Sequence, residues 1–105
     1  MEKPNLSYIQ SMSGGDKAFE QKLITIIKGE FPEEKKIYFE NSTAKNYKLT
    51  AENVHKLKHK MSILGLERGY EIAVAFENNL QEGNTALQDE FEAILTAITN
   101  YLQQL

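Results

Sequence analysis

The chain contains no cysteine, which removes disulfide frameworks, thiolate zinc sites and thiol nucleophiles from consideration. It also lacks long hydrophobic runs. Apolar stretches such as LITII, Leu23 to Ile27, fall far short of the roughly 20 residues that a membrane-spanning helix needs. The opening MEKPNLSYIQ has no apolar core of the signal-peptide kind. There is no low-complexity tract, internal repeat or Pro/Ser-rich linker. A Gly-rich loop able to cradle a nucleotide phosphate is also missing, because Ser13-Gly14-Gly15-Asp16 is too short and reads as a turn before a helix cap. No stretch sustains two-residue alternation, so strands are not expected. These absences predict a cytoplasmic chain, without membrane insertion and without ATP-dependent kinase activity of its own.

What remains is ordinary for a globular domain: 105 residues, 41% apolar and 26% charged. That length predicts a single domain over residues 1–105. The apolar pattern is helical nearly throughout. NLSYIQSM predicts a short leading helix, and SGGD ends it, with Asp16 as the N-cap of the next. Phe19, Leu23, Ile26, Ile27 and Phe31 share the spacing of a buried helical stripe. Tyr38 keeps the phase beyond Pro32, so one long bent helix over about 16–43 is expected rather than two. NSTAKNYKLT reads as a loop, with Thr50 capping a third helix that runs to Gly65. A fourth begins at Glu67 and stops at Gly83. The last, with a capping-box pattern at Thr85 and Gln88, carries Leu87, Phe91, Ile94, Leu95, Ile98, Tyr101, Leu102 and Leu105 on one stripe. The expected fold is all-α: an antiparallel four-helix bundle with a short additional N-terminal helix.

Charge is unevenly spread. Between Lys45 and Lys60 stand five lysines and one acid, Glu52, a local +4 in a chain of net −3, so the remainder carries −7. An acidic chain with one basic patch is a poor general nucleic-acid binder but suits a single anionic partner or group.

Both histidines lie in that patch, in VHKLKHKMSILGL. At about 100° per residue, Thr50, Val54, Leu57, Met61 and Leu64 form the buried stripe of the helix. His55, Lys58, His59, Ser62 and Ala51 fall on the other side, as an open basic strip. Three chemistries compete there with a merely solvated pair. Two imidazoles at i, i+4 can supply two metal ligands, but a third is hard to find amid Lys56, Lys58 and Lys60. General acid–base catalysis needs a pocket and a second titrating group, which a convex helix face does not offer. A neutral, exposed imidazole can instead attack a phosphoryl group, with a lysine one turn away to steady the transferred charge.

His55-Lys56-Leu57-Lys58, with Gly65 ten residues beyond the histidine, resembles the H-x-[LI]-K-G-x5-G signature of histidine-containing phosphotransfer (HPt) domains. The likeness extends over nearly the whole chain. LSYIQSMSGGDKAFEQKLITIIKGEFPEEKKIYFENS is similar to the family's leading helix, Gly-rich break and Pro-interrupted helix, and Leu66 to Leu80, with Ala73, Phe76 and Glu77, is similar to its third bundle helix. The resemblance implies that His55 accepts a phosphoryl group from the aspartyl phosphate of one receiver domain and passes it to the aspartate of another. Lys58 would stabilise the phosphate, and Ala51, Lys56, His59 and Ser62 would meet the partner. No cofactor is implied for this chain, since the magnesium ion belongs to the receiver. The implied partners are response-regulator receiver domains and a hybrid sensor histidine kinase, with this chain a monomer, either free-standing or a domain of a membrane-bound hybrid kinase. One position departs from the signature: His59 stands where the family has glycine. The alternative expectation is therefore a bundle that docks a receiver or kinase without exchanging phosphate.

Overall fold

The computed structural model describes residues 2–105 and contains five helices, with no strand among those residues. They are α1 (Ser7–Ser13), α2 (Lys17–Thr43), α3 (Tyr47–Ile63), α4 (Glu67–Gln81) and α5 (Gln88–Gln103). Asp16 caps α2 as expected, its Oδ1 accepting from the Phe19 N–H at 3.1 Å. α2 runs unbroken through Pro32. Pro32 and Lys28, whose carbonyl loses its donor to the proline, are both exposed residues.

Two start signals differ from expectation. α3 begins four residues earlier than a cap at Thr50 would place it. Asn46 is its cap, accepting from the Leu49 N–H at 3.3 Å, and the NSTAKNYKLT loop shrinks to residues 44–46. Thr50 is 1% exposed and gives its hydroxyl hydrogen to the Asn46 carbonyl at 2.8 Å. A threonine can bond back to its own helix as readily as cap one, and burial selects the former. At α5 the Thr85–Gln88 box does not form: Leu87 is the cap residue, and Thr85 contributes only its backbone carbonyl, 3.1 Å from the Gln88 N–H.

α2 packs on α3, α3 on α4, α4 on α5 and α5 back on α2, while α1 lies against α2. The buried side chains form one cluster, in which the Tyr38, Phe91 and Phe76 rings pack in succession at a tilt, with centroids 5.2 Å apart. The stripe expected on α2 is only partly buried. Ile27, Phe31 and Tyr38 face the core, joined by Ile24, but Phe19 and Ile26 remain 41% and 44% exposed. The apolar spacing was continuous, whereas the neighbouring helices cover only part of its angular width. Leu105, expected on the α5 stripe, is likewise exposed.

The α3–α4 reversal is held from outside the hairpin. Gly65 takes φ +75°, and the Leu66 N–H closes on the Met61 carbonyl at 2.9 Å. α4 has no capping side chain at its own N-cap, Leu66. Glu2 supplies one: its two carboxylate oxygens accept from the backbone N–H groups of Arg68 and Gly69, each at 3.0 Å. Asn5 adds a bond from its N–H to the Leu64 carbonyl at 2.8 Å. The N-terminal segment thereby fixes the turn that sets α3 against α4.

Candidate functional site

α3 presents its histidines as the helical spacing requires. Thr50, Val54, Leu57, Met61 and Leu64 are all buried, and His55 and His59 are exposed, the His55 side chain at 52%. The two rings meet edge to face, centroids 5.0 Å apart and 85° between planes.

The decisive neighbour comes from α4. Glu77 Oε2 lies 3.0 Å from His55 Nδ1, and its Oε1 accepts from Lys58 Nζ at 2.9 Å. A carboxylate only accepts, so Nδ1 carries the ring proton. In the neutral imidazole the lone pair is then on Nε2, at the other edge of the ring. One carboxylate thus fixes both the tautomer and the orientation of the exposed base. Lys58 Nζ also stands 5.9 Å from the Tyr70 ring centroid, and its side chain is only 12% exposed.

The surroundings differ from the open convex strip expected. An open hollow of about 880 Å³ lies beside His55, lined by Tyr47, Lys48, Ala51, Glu52, Lys56 and Glu77, with Leu80, Gln81 and Gly83 on its far side. Ala51 is therefore not an exposed flank of the histidines: it is 5% exposed and forms part of the wall. Lys56 is exposed at the same hollow. Ser62 is exposed but lines a separate hollow with Asn5, Tyr8 and Tyr70. The basic patch is also weaker than a count of lysines suggests. Lys58 is paired with Glu77, and Lys60, 9% exposed, is held by Glu30 at 3.0 Å and Glu34 at 3.3 Å.

Glu77 is the site residue whose role the α3 pattern could not supply, because it is 22 positions from His55. A signal did exist. A helical hairpin reversing at Gly65 sets residues roughly equidistant from that glycine side by side, and His55 and Glu77 lie ten before and twelve after it.

Among the described residues no group of three or more His, Asp or Glu side chains is arranged to hold a metal ion, and no helix is long and apolar enough to cross a membrane. No family model matches this chain, and comparison with curated proteins and with solved structures returned no match.

Proposed function

We propose that this chain is a histidine phosphotransfer module of a two-component phosphorelay. In this reading α2 to α5 form a single-domain antiparallel four-helix bundle with α1 appended. It works as a cytoplasmic monomer, or as a domain of a membrane-bound hybrid kinase. Its partners are receiver domains, whose Mg2+ serves the aspartate side of the exchange.

The observation that carries the reading is the Glu77 carboxylate on Nδ1 of an otherwise exposed His55. In the forward step the Nε2 lone pair attacks the phosphorus of an aspartyl phosphate. The P–O bond to the aspartate breaks as the P–N bond forms, and the aspartate leaves as a carboxylate. No proton has to move, since Nδ1 keeps its hydrogen. The positive charge that develops on the ring is met by Glu77, a preorganised anion at hydrogen-bond distance. The reverse step, onto a second receiver aspartate, runs over the same path. The hollow beside His55 offers a partner an apolar wall, Ala51 and Leu80, with Lys48, Lys56 and Glu52 around it.

A specific observation favours a second reading, docking without exchange: the His59 ring stands 5.0 Å from that of His55, where the resemblance has only glycine. Incubation with an acetyl-phosphate-charged receiver separates the two. Exchange yields acid-labile, alkali-stable label on the wild type and none on His55→Gln. Label that persists in His55→Gln, or a wild type that binds receiver yet never takes label, defeats the phosphotransfer reading.

A further inference from the structure

Resting on the phosphotransfer reading of the same site, we infer that His59 is the side chain that binds the phosphoryl group on His55, in the role the resemblance gives to Lys58. The reason is how the local cations are engaged. Lys58 is tied to Glu77 at 2.9 Å, lies over Tyr70 and is nearly covered. Drawing it to a phosphate on the far edge of the ring breaks that pair and takes a counter-charge from the carboxylate that holds Nδ1. Lys60 is committed to Glu30 and Glu34 on the α2 side. Lys48 and Lys56 are exposed at the hollow beside His55, but Lys48 stands two helical turns away and Lys56, next in sequence, projects about 100° round the helix from it.

His59 has none of these engagements. It is one helical turn from His55, exposed, and already set edge to face against the reacting ring. A ring N–H of His59 reaches a phosphoryl oxygen by rotation about its own side-chain bonds, with no pair broken, and in its protonated form it adds charge to that hydrogen bond. His59 therefore completes a division of labour in which Glu77 serves the Nδ1 side of His55, Lys58 fixes Glu77, and His59 serves the phosphate.

The test needs no partner protein. Phosphoramidate charges the full chain chemically: Nε2 attacks phosphorus, the P–N bond of the reagent breaks and ammonia leaves. Mass spectrometry locates the label, and 31P NMR then follows the second ionisation of the bound phosphoryl group. A donor on the phosphate favours its dianion, so this ionisation is expected about half to one pH unit lower in the wild type than in His59→Ala. His59→Gln, which keeps an N–H donor, restores most of the shift, while Lys58→Ala leaves it in place. Label on His55 with a titration indifferent to His59→Ala but moved by Lys58→Ala overturns the role of His59 and leaves the phosphotransfer reading standing. Label absent from His55, under conditions that phosphorylate free imidazole, overturns the phosphotransfer reading itself.

Discussion

Glu77 holds the Nδ1 edge of His55 at 3.0 Å from the opposite helix, so the reactive face of an α3 side chain is set by α4. Removing the carboxylate lets the ring spin and exchange tautomers, and it strips the developing charge of its counter-ion. Loss of the carboxylate that orients a metal-ligating histidine costs about ten- to a hundredfold, and a nucleophilic histidine held in the same way is expected to lose as much. Glu77→Ala is accordingly expected to slow phosphoryl uptake from a charged receiver by that factor, with Glu77→Gln intermediate because it still accepts a hydrogen bond. Initial rates of label incorporation at fixed receiver concentration provide the measurement. An uptake rate unchanged in Glu77→Ala removes the electrostatic role.

The core and the exposed apolar positions should separate cleanly in stability. Leu57 and Ile98 are fully buried, and truncation of either to alanine should cost about 2–5 kcal/mol. Phe19 is 41% exposed, so Phe19→Ala should cost well under half of that despite the larger side chain removed. Urea unfolding of the three variants compares them directly. A Phe19→Ala loss equal to that of Leu57→Ala shows that this face is covered.

That contrast marks what the sequence could and could not disclose. Periodicity located all five helices, because a buried stripe imposes its spacing whatever lies opposite. It did not show which part of an apolar arc finds a neighbour, since that depends on where α1, α3 and α5 sit around α2. Phe19 and Ile26 were therefore misplaced. The exposed histidines were legible from the α3 wheel alone. Glu77 as their orienting carboxylate and Glu2 as the α4 cap were not, because both act across long sequence separations, Glu77 across the hairpin and Glu2 from outside it. Thr50 and Thr85 misled for a different reason: a threonine near a helix start has several local bonding options, and burial settles the choice for Thr50 while Thr85 stays exposed ahead of α5.

Lys60 is a nearly buried cation between α3 and α2. Its partners are unequal: Glu34 is 22% exposed at the side chain and Glu30 55%. Lys60→Met keeps the apolar stem but leaves Glu34 half-enclosed without its counter-charge. Full burial of an orphaned ion costs about 3–5 kcal/mol, and the residual exposure here reduces the expectation to about 1–2 kcal/mol. Glu30→Gln should be close to neutral. The double variant Lys60→Met with Glu34→Gln should recover most of the loss, as read by thermal or denaturant midpoints. Failure to recover assigns the loss to packing of the lysine stem.

Alkaline pH should probe Tyr38. Burial, reinforced by its hydrogen bond to Glu92 at 2.9 Å, pushes the phenol well above its ordinary range. The folded chain thus keeps this proton after the unfolded chain has lost it. Stability from the neutral phenol is complete below about pH 10, the unfolded value, and declines as pH rises beyond it, by up to about 1.4 kcal/mol per unit. Denaturant unfolding between pH 8 and 11 should show that slope in the wild type and a shallower one in Tyr38→Phe. Equal slopes exclude Tyr38 as the source of alkaline lability.

Gly65 joins two constraints at the α3–α4 turn. Its φ of +75° is disfavoured for any residue with a Cβ, and a Cβ built there meets the Asn5 side chain at 2.6 Å. Gly65→Ala should therefore cost about 2 kcal/mol or more, combining backbone strain with displacement of Asn5. Asn5→Ala alone should cost less, since what it loses is the bond that its Oδ1 accepts from the Ser7 N–H at 3.0 Å. In the double variant the clash is gone, while the strain and the lost Ser7 bond remain, so the two single losses should sum to more than the double variant shows. Because this turn sets α3 against α4, Gly65→Ala should also weaken the Glu77–His55 hydrogen bond, visible as faster exchange of the Nδ1 proton in NMR. A double variant with fully additive losses means that the Asn5 side chain does not press on this glycine.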